Sequence, residues 1–284
     1  MLGSSSPLPV SGVVSKLRAA GCVFAEDEAR LLVAAARTPG ELDAMVERRA
    51  SGLPLEQVVG WAEFCGRRVG VDPGVFVPRR RTEFLVQEAV RLARAFPARR
   101  PVAPTGEAGS VVVVDLCCGS GAVGLAVAAG LRAAGAGAVE LHAADIEPAA
   151  VACARRNAAA AEAIGARVYQ GDLYEPLPDG LRGRVNVLTA NVPYVPSEEV
   201  ALLPAEARDH EPRVALDGGA DGLEVLRRVA AKAPYWLAPG GVLLTESSER
   251  QAEQAAAVLT ASGLSAEVAH SDEWFATVVT GIRA

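Results

Sequence analysis

The chain has 284 residues, 50% of them hydrophobic, 22% charged and 5% aromatic, which is the balance of one large or two modest globular domains. That excludes a disordered tail, a collagen rod and a disulfide mini-protein. With 28 Lys and Arg against 34 Asp and Glu, the net charge of -6 gives no global positive field for nucleic acid, so direct nucleic-acid binding is not expected. Five scattered cysteines without a CxxC pair argue for a reduced, cytoplasmic setting with no disulfide framework and no metal site. No basic stretch leads into an apolar core at the start, and no apolar run approaches the roughly 20 residues that span a bilayer, so no membrane role is expected.

Ser11 is placed to cap a helix over residues 12–20, with Gly21 as its left-handed stop. Ala29, Leu32, Val33 and Ala36 recur at helical spacing and predict a second helix over 26–36. Thr38, Pro39 and Gly40 break the chain, and Leu42, Met45 and Val46 mark a third helix ending near Gly52 and Pro54. Residues 1–58 therefore read as a small helical domain. Short alternating segments follow (Phe64, Arg67, Val69, Val71, then Val75 and Val77), and Asp72-Pro73-Gly74 predicts a hairpin turn within a linker over 59–81. Trp61 and Phe64 are assigned to packing between the domains.

The remainder, 82–284, opens with a helix from Thr82 towards Pro97 and a Pro/Gly-rich connection to Gly109. Strands then alternate with helices, the signature of a wound parallel sheet. Strands are expected at 111–116, 139–144, 167–170, 185–190 and 241–245, and helices from Ala122, over 148–160 and over 223–233. Two consecutive strands, one around Val268 and one over 275–280, predict an antiparallel edge.

The chemistry-bearing residues fall at the ends of these strands. Gly119, Gly121 and Gly124 form GxGxxG between a strand and a helix, which lets a nucleotide-like ligand approach the backbone at a helix start; a tight turn alone would also use it. Asp145 ends the next strand, where its carboxylate can accept two ribose hydroxyls. Asp115 lies ahead of the glycines, where it suits a cationic methionyl ammonium and would repel a pyrophosphate. Asp172 and Leu173, after the third strand, offer an acid and an apolar residue for an adenine edge and face; Asp172 equally suits a turn cap. Asn191-Val192-Pro193-Tyr194 follows the fourth strand. Pro193 favours an extended Val192, so the Val192 carbonyl and the Asn191 side chain converge with the Tyr194 ring on a planar NH2 group. Two acceptors fix such a nitrogen against a methyl sulfonium and support its developing charge, with no general base needed. In isolation the tetrapeptide also reads as an Asx-type turn before a proline.

Taken in order, Asp115 to Gly121, Asp145, Gly171-Asp172-Leu173 and Asn191-Val192-Pro193-Tyr194 resemble a class I S-adenosylmethionine-dependent methyltransferase that modifies planar nitrogens. Gly52-Leu53-Pro54-Leu55, Val77-Pro78-Arg79 with Thr82-Glu83, and Glu211-Pro212 through Gly218-Gly219 to Asp221-Gly222-Leu223 narrow this to the HemK-type protein-(glutamine-N5) methyltransferases. The resemblance runs from about Arg49 to the C-terminus. It implies a Rossmann-like α/β domain, mostly parallel with an antiparallel C-terminal edge, joined through a β-hairpin to a small N-terminal substrate-recognition domain. It implies S-adenosyl-L-methionine as cofactor, bound by Asp115, Cys117, Cys118, Gly119, Ser120, Gly121, Asp145, Asp172, Leu173 and Asn191. It also implies a release factor as protein substrate, methylated on the glutamine of its Gly-Gly-Gln loop, with Asn191, Val192, Pro193 and Tyr194 as the catalytic segment.

The sequence departs from that family in three places. Val192 replaces the first proline of Asn-Pro-Pro-Tyr and adds an N–H that needs a partner. Arg80 and Arg81 replace a proline and an acid, and Cys117-Cys118 replace a small Gly-Thr-like pair. The chain thus reads as a diverged member whose protein substrate can differ. Two alternatives are methylation of an exocyclic base amine in nucleic acid and a non-catalytic cofactor-binding module. Arg79 to Arg81 read as a solvated face, His210 as a surface loop residue, and Trp274 as packing on the edge strand.

Overall fold

The computed structural model describes residues 10–94, 110–161 and 165–284. The predicted connection from Pro97 to Gly109 lies outside the described residues. Four helices open the chain: α1 (Val10–Ala19), α2 (Ala25–Ala35), α3 (Pro39–Ala50) and α4 (Leu55–Val59). Leu17, Leu32, Met45, Val46 and Val58 close a core of their own between them. Thr38 does more than break the chain: its hydroxyl accepts the Glu41 N–H at 3.2 Å, and Pro39 opens α3 where a missing N–H is harmless. Ser11 lies inside α1 and does not cap it.

The hairpin has a different register from the one the sequence suggested. Strands β1 (Trp61–Phe64) and β2 (Arg67–Gly70) turn at Cys65-Gly66, both with positive φ (50° and 68°), and not at Asp72-Pro73-Gly74. A two-residue turn with positive φ matches the strand twist, and this local geometry prevails over the stronger-looking Pro-Gly signal. Phe64 is buried against the sheet core, whereas Trp61 stacks under the Arg68 guanidinium at 4.0 Å.

Beyond α5 (Glu83–Ala93), seven sheet strands follow, with α-helices between consecutive strands except from β5 to β6 and from β8 to β9: β3 (Val111–Leu116), α6 (Ala122–Ala133), β4 (Val139–Asp145), α7 (Pro148–Ala160), β5 (Arg167–Gln170), β6 (Val185–Ala190), α8 (Ala205–His210), α9 (Glu224–Trp236), β7 (Leu237–Ser247), α10 (Ala252–Ala261), β8 (Ser265–Ser271) and β9 (Ala276–Ile282). The sheet order is β5-β4-β3-β6-β7-β9-β8, parallel from β5 to β7, with β9 antiparallel to both of its neighbours. Alternation along β3 explains the two layers. Val112 and Val114 face Leu226, Val229 and Leu259 of α9 and α10, while Val113 faces Leu85 of α5 and Val127 of α6. Strand order reverses beside β3, which opens a crevice at the carboxyl ends of β3, β4 and β6.

Two polar ties fasten the helical unit and hairpin to this sheet. Arg49 binds Glu28 of α2 at 2.6 Å and Glu206 of α8 at 2.9 Å. Asn157 of α7 exchanges two 2.9 Å bonds with the Gly70 backbone and donates to the Ser120 carbonyl at 2.8 Å. The hairpin thereby braces the first strand-to-helix loop.

Candidate active site

The crevice is a cavity of about 920 Å³, lined by the residues that follow β3, β4, β5 and β6 together with Arg79, Arg81, Glu211, Glu246 and Phe275. Three of the four non-glycine residues with positive φ among the described residues line it: Cys117, Leu173 and Phe275. Backbone held in this costly region marks a segment shaped for something other than its own stability.

One end is built around Asp115 and Asp145. Asp115 is buried, with Oδ2 accepting the Gly124 N–H at 2.9 Å and Oδ1 accepting the Thr189 hydroxyl at 2.8 Å. Burial pushes its carboxyl up to about 7. A Cβ at Gly124 would lie 2.9 Å from that same Oδ2, so the third glycine of GxGxxG is there to let the carboxylate meet the helix start. Asp145 accepts the Gly119 N–H at 2.8 Å and the Glu147 N–H at 2.9 Å, one on each oxygen, and burial raises its carboxyl as well. Each oxygen retains a lone pair for a hydroxyl donor. Cys117 (φ 54°) lines the cavity, and burial pushes its thiol up, away from reactivity. Cys118 is buried against Ala143 and Ala154, and all five cysteines are free. Leu173 belongs to the main core yet reaches the cavity wall, and Asp172 is ion-paired with Arg228 of α9. Ser120 is buried and also lines this end.

The other end is built around residues 191–194. No hydrogen bond among the described residues engages the Asn191 side chain or the Val192 N–H and carbonyl. Val192 is buried in the main core, so its side chain anchors the segment while its peptide lies beside the cavity. A bridge pairs Val195 with Asp217, the Val195 N–H donating to the Leu216 carbonyl at 3.1 Å and the Val195 carbonyl accepting the Gly218 N–H at 2.8 Å. A Cβ at Gly218 would lie 2.6 Å from the Pro193 carbonyl. Gln251 then ties the Tyr194 and Asp221 carbonyls together at 3.0 Å each. The Gly-Gly-x-Asp-Gly run is thus the brace of the tetrapeptide.

Tyr194 is held differently from the sequence expectation of a ring plate alone. Its hydroxyl donates to Glu246 Oε1 at 3.0 Å and accepts from the Arg81 guanidinium, and burial followed by the Glu246 charge raises the phenol. Glu246 is the penultimate residue of β7, receives Arg81 Nε at 2.8 Å and the Thr82 hydroxyl at 2.5 Å, and was not singled out from the sequence. An acid near the carboxyl end of an apolar strand, at the same sheet edge as Asp145, was its available signal. Arg80 and Arg81 are exposed, as a solvated face requires, yet none of the three is a free cation: Arg79 pairs with buried Glu211 at 2.5 Å, Arg80 lies over Trp274 at 5.7 Å and Arg81 pairs with Glu246. Trp274 accordingly sits in the turn between β8 and β9, outside the edge strands. His210 ends α8 and stands against Gly52 of the helical unit.

Comparison with known proteins bears directly on this geometry. The methyltransferase small domain family matches residues 102–206. The release factor glutamine methyltransferase of Geobacter sulfurreducens is 39% identical over 230 residues, 79% of this chain and 72% of that protein. The chain belongs to the release factor glutamine methyltransferase family. The 4-amino-L-phenylalanine/4-methylamino-L-phenylalanine methyltransferase of Streptomyces pristinaespiralis is 36% identical, covering 84% of this chain and 81% of that protein. Among solved structures, the 16S rRNA N2 G1207 methyltransferase of T. thermophilus shares the fold, with TM-score 0.50 at 21% identity over 79% of this chain and 50% of that one.

The member described here is a methyltransferase that uses S-adenosylmethionine, and the cavity fits that cofactor. The half-buried Asp145 carboxylate suits a ribose diol, Leu173 and Cys117 give an apolar wall, and an ammonium beside Asp115 would offset the burial of that carboxyl. No helix among the described residues is long and apolar enough to cross a membrane.

Proposed function

We infer that this chain methylates the side-chain amide nitrogen of a glutamine in a protein, a peptide-chain release factor. The observation that carries the reading is the pair of unengaged acceptors, the Asn191 amide oxygen and the Val192 carbonyl, braced at the carboxyl end of β6 beside the cofactor end of one cavity. Bound S-adenosylmethionine supplies an electrophilic methyl group on a sulfonium. The chain's own contribution is orientation: two acceptors take the two N–H bonds of a planar NH2, turn its nitrogen to the methyl, and stabilise the positive charge that grows there. Pro193 holds the Val192 peptide extended, and the tied Tyr194 ring limits the slot. In this reading Asp115, the 117–121 loop, Asp145, Asp172 and Leu173 hold the cofactor. Residues 1–58 form the substrate-recognition domain, 59–81 the linker and 82–284 the catalytic domain. Five free thiols suit a cytoplasmic reaction.

Incubating the purified chain with labelled S-adenosylmethionine and a release factor, then locating the label by mass spectrometry, tests it. Label on the Gly-Gly-Gln glutamine is the expected result; label on another residue, or none, would overturn it. A second reading, N-methylation of the aromatic amine of a free amino acid, is favoured by one feature of the cavity: Arg81 places a cation beside Tyr194. The same acceptor pair serves either nitrogen.

A further inference from the structure

The acceptor end carries one charge that the transfer reaction itself does not call for. Arg81 enters the cavity wall from the short 3-10 turn ahead of α5, with its side chain about half exposed at 48%. Its Nε is committed to Glu246 and its Nη2 to the Tyr194 hydroxyl, while Nη1 has no partner among the described residues. Glu246 cannot answer the acceptor. Its carboxylate is 3% exposed and already receives Arg81, Tyr194 and the Thr82 hydroxyl. Glu246 lines the cavity as well, but both of its oxygens are engaged, so within this cluster the unpartnered edge of the guanidinium is the donor left for a molecule in the cavity. Glu249 and Asp272 also line the cavity, and neither bonds to Arg81. Anchored at its inner edge, the guanidinium is a rigid fork, and rigid forks suit planar oxyanions.

We propose that Arg81 is a specificity-determining residue that selects an acceptor bearing a carboxylate close to the methylated nitrogen. The carboxylate comes from the amino-acid group of a small amine or from an acidic residue beside the reacting glutamine. This rests on the N-methyl transfer reading above. It gives a chemical sense to the arginine that stands where related chains are expected to carry an acid, since an acid there would sit against Glu246 and repel the same carboxylate.

The test measures kcat/KM of the full chain with labelled S-adenosylmethionine on two acceptor pairs. One pair is 4-amino-L-phenylalanine and its carboxamide; the other is two glutamine peptides identical except for Glu or Gln next to the reacting residue. In at least one pair the carboxylate member should be preferred by on the order of 10–100-fold, as for a charge-assisted hydrogen bond. Which pair shows the preference identifies the source of the carboxylate. Arg81→Gln should collapse that ratio, and Arg81→Lys should restore part of it. A merely structural role for Arg81 would lower both members of a pair equally and leave the ratio unchanged. Equal rates on both members in the wild-type chain, or an unchanged ratio in Arg81→Gln, would overturn the proposal. The wild-type ratio stands even if the variants fold poorly. Absence of transfer to all four acceptors would overturn the proposal if release factor is labelled, and would instead defeat the N-methyl transfer reading if release factor is unlabelled too.

Discussion

The two ends of the cavity are assembled in opposite ways. The cofactor end is local: Asp115, Gly119 and Gly124 belong to one strand-loop-helix unit, and Asp145 arrives from the adjacent strand with backbone donors already on both oxygens. The acceptor end is a convergence of remote segments, with Tyr194 held by Arg81 at a separation of 113 residues and by Glu246 at 52. A local site follows once its unit folds. A convergent one exists only when the linker, the Gly-Gly-x-Asp-Gly run and β7 are all in place, so it should fail more readily at a distance.

The largest expected effect removes an acceptor without touching any brace. Asn191→Ala deletes a group that matters most as charge grows on the nitrogen, so the transfer rate should fall by roughly 10²–10³. Calorimetry should show S-adenosylmethionine binding little changed, because no bond from Asn191 supports the rest of the cavity. Transfer at the wild-type rate would remove the tetrapeptide from the chemistry.

Gly222→Ala asks whether damage travels. Gly222 has φ 78°, and a Cβ there would lie 2.3 Å from the Tyr194 carbonyl, so the brace must shift. We expect a stability loss of about 1–3 kcal/mol by denaturant titration and a transfer rate at least tenfold lower, with cofactor affinity preserved. Equal loss of cofactor affinity would show that the two ends are not independent.

Asp145→Ala is the counterpart at the cofactor end. Each hydroxyl bond to a carboxylate contributes about 1.5–3 kcal/mol, so affinity for S-adenosylmethionine should drop by one to two orders of magnitude for one lost bond. Unchanged affinity would take Asp145 out of the site.

This contrast is also the contrast in what the sequence discloses. The strand and helix from Val111 to Ala133, Asp145 and the 191–194 segment were legible because strand, glycine turn and helix start are contiguous signals. The roles of Arg81, Glu246 and Gln251 were not. The partners named for them lie 30 to 165 residues away and no spacing rule connects them. The hairpin erred for a related reason: Asp72-Pro73-Gly74 is the stronger turn signal, but β2 is fixed by Asn157, far along the chain, which accepts and donates at Gly70. Helix α10 escaped notice because its Ala-rich run carries few large apolar residues.

Asp115 supplies a proton-linked test of the cofactor end. Its carboxyl is raised to about 7 by burial, above the roughly 3.9 of an unfolded aspartate. The folded chain thus binds more protons than the unfolded one between those values, so the stabilising contribution is complete below about pH 4 and is lost as pH rises to about 7. A cationic ammonium beside the carboxylate lowers its pKa again, so cofactor binding near pH 6.5 should release up to about one proton. Calorimetry in buffers of different ionisation enthalpy reads this directly. Asp115→Asn should abolish the release, and a wild-type chain that releases none would separate Asp115 from the methionyl group.

The smallest effect concerns Cys117, where the cofactor loop carries a side chain in the left-handed region at φ 54°. For a non-glycine residue that conformation costs of order 1 kcal/mol or more, and glycine relieves it while adding freedom to the unfolded chain. The two terms oppose each other, and the strain is the larger, so Cys117→Gly should stabilise the protein by about 0.5 kcal/mol in denaturant titration. Burial raises the thiol, so it is protonated near neutral pH and has no charge to lend the cofactor. Affinity for S-adenosylmethionine should stay within about twofold. A loss of more than about 1 kcal/mol would mean that contact of the thiol with the main core outweighs the strain. The local end would then depend on tertiary packing, much as the acceptor end does.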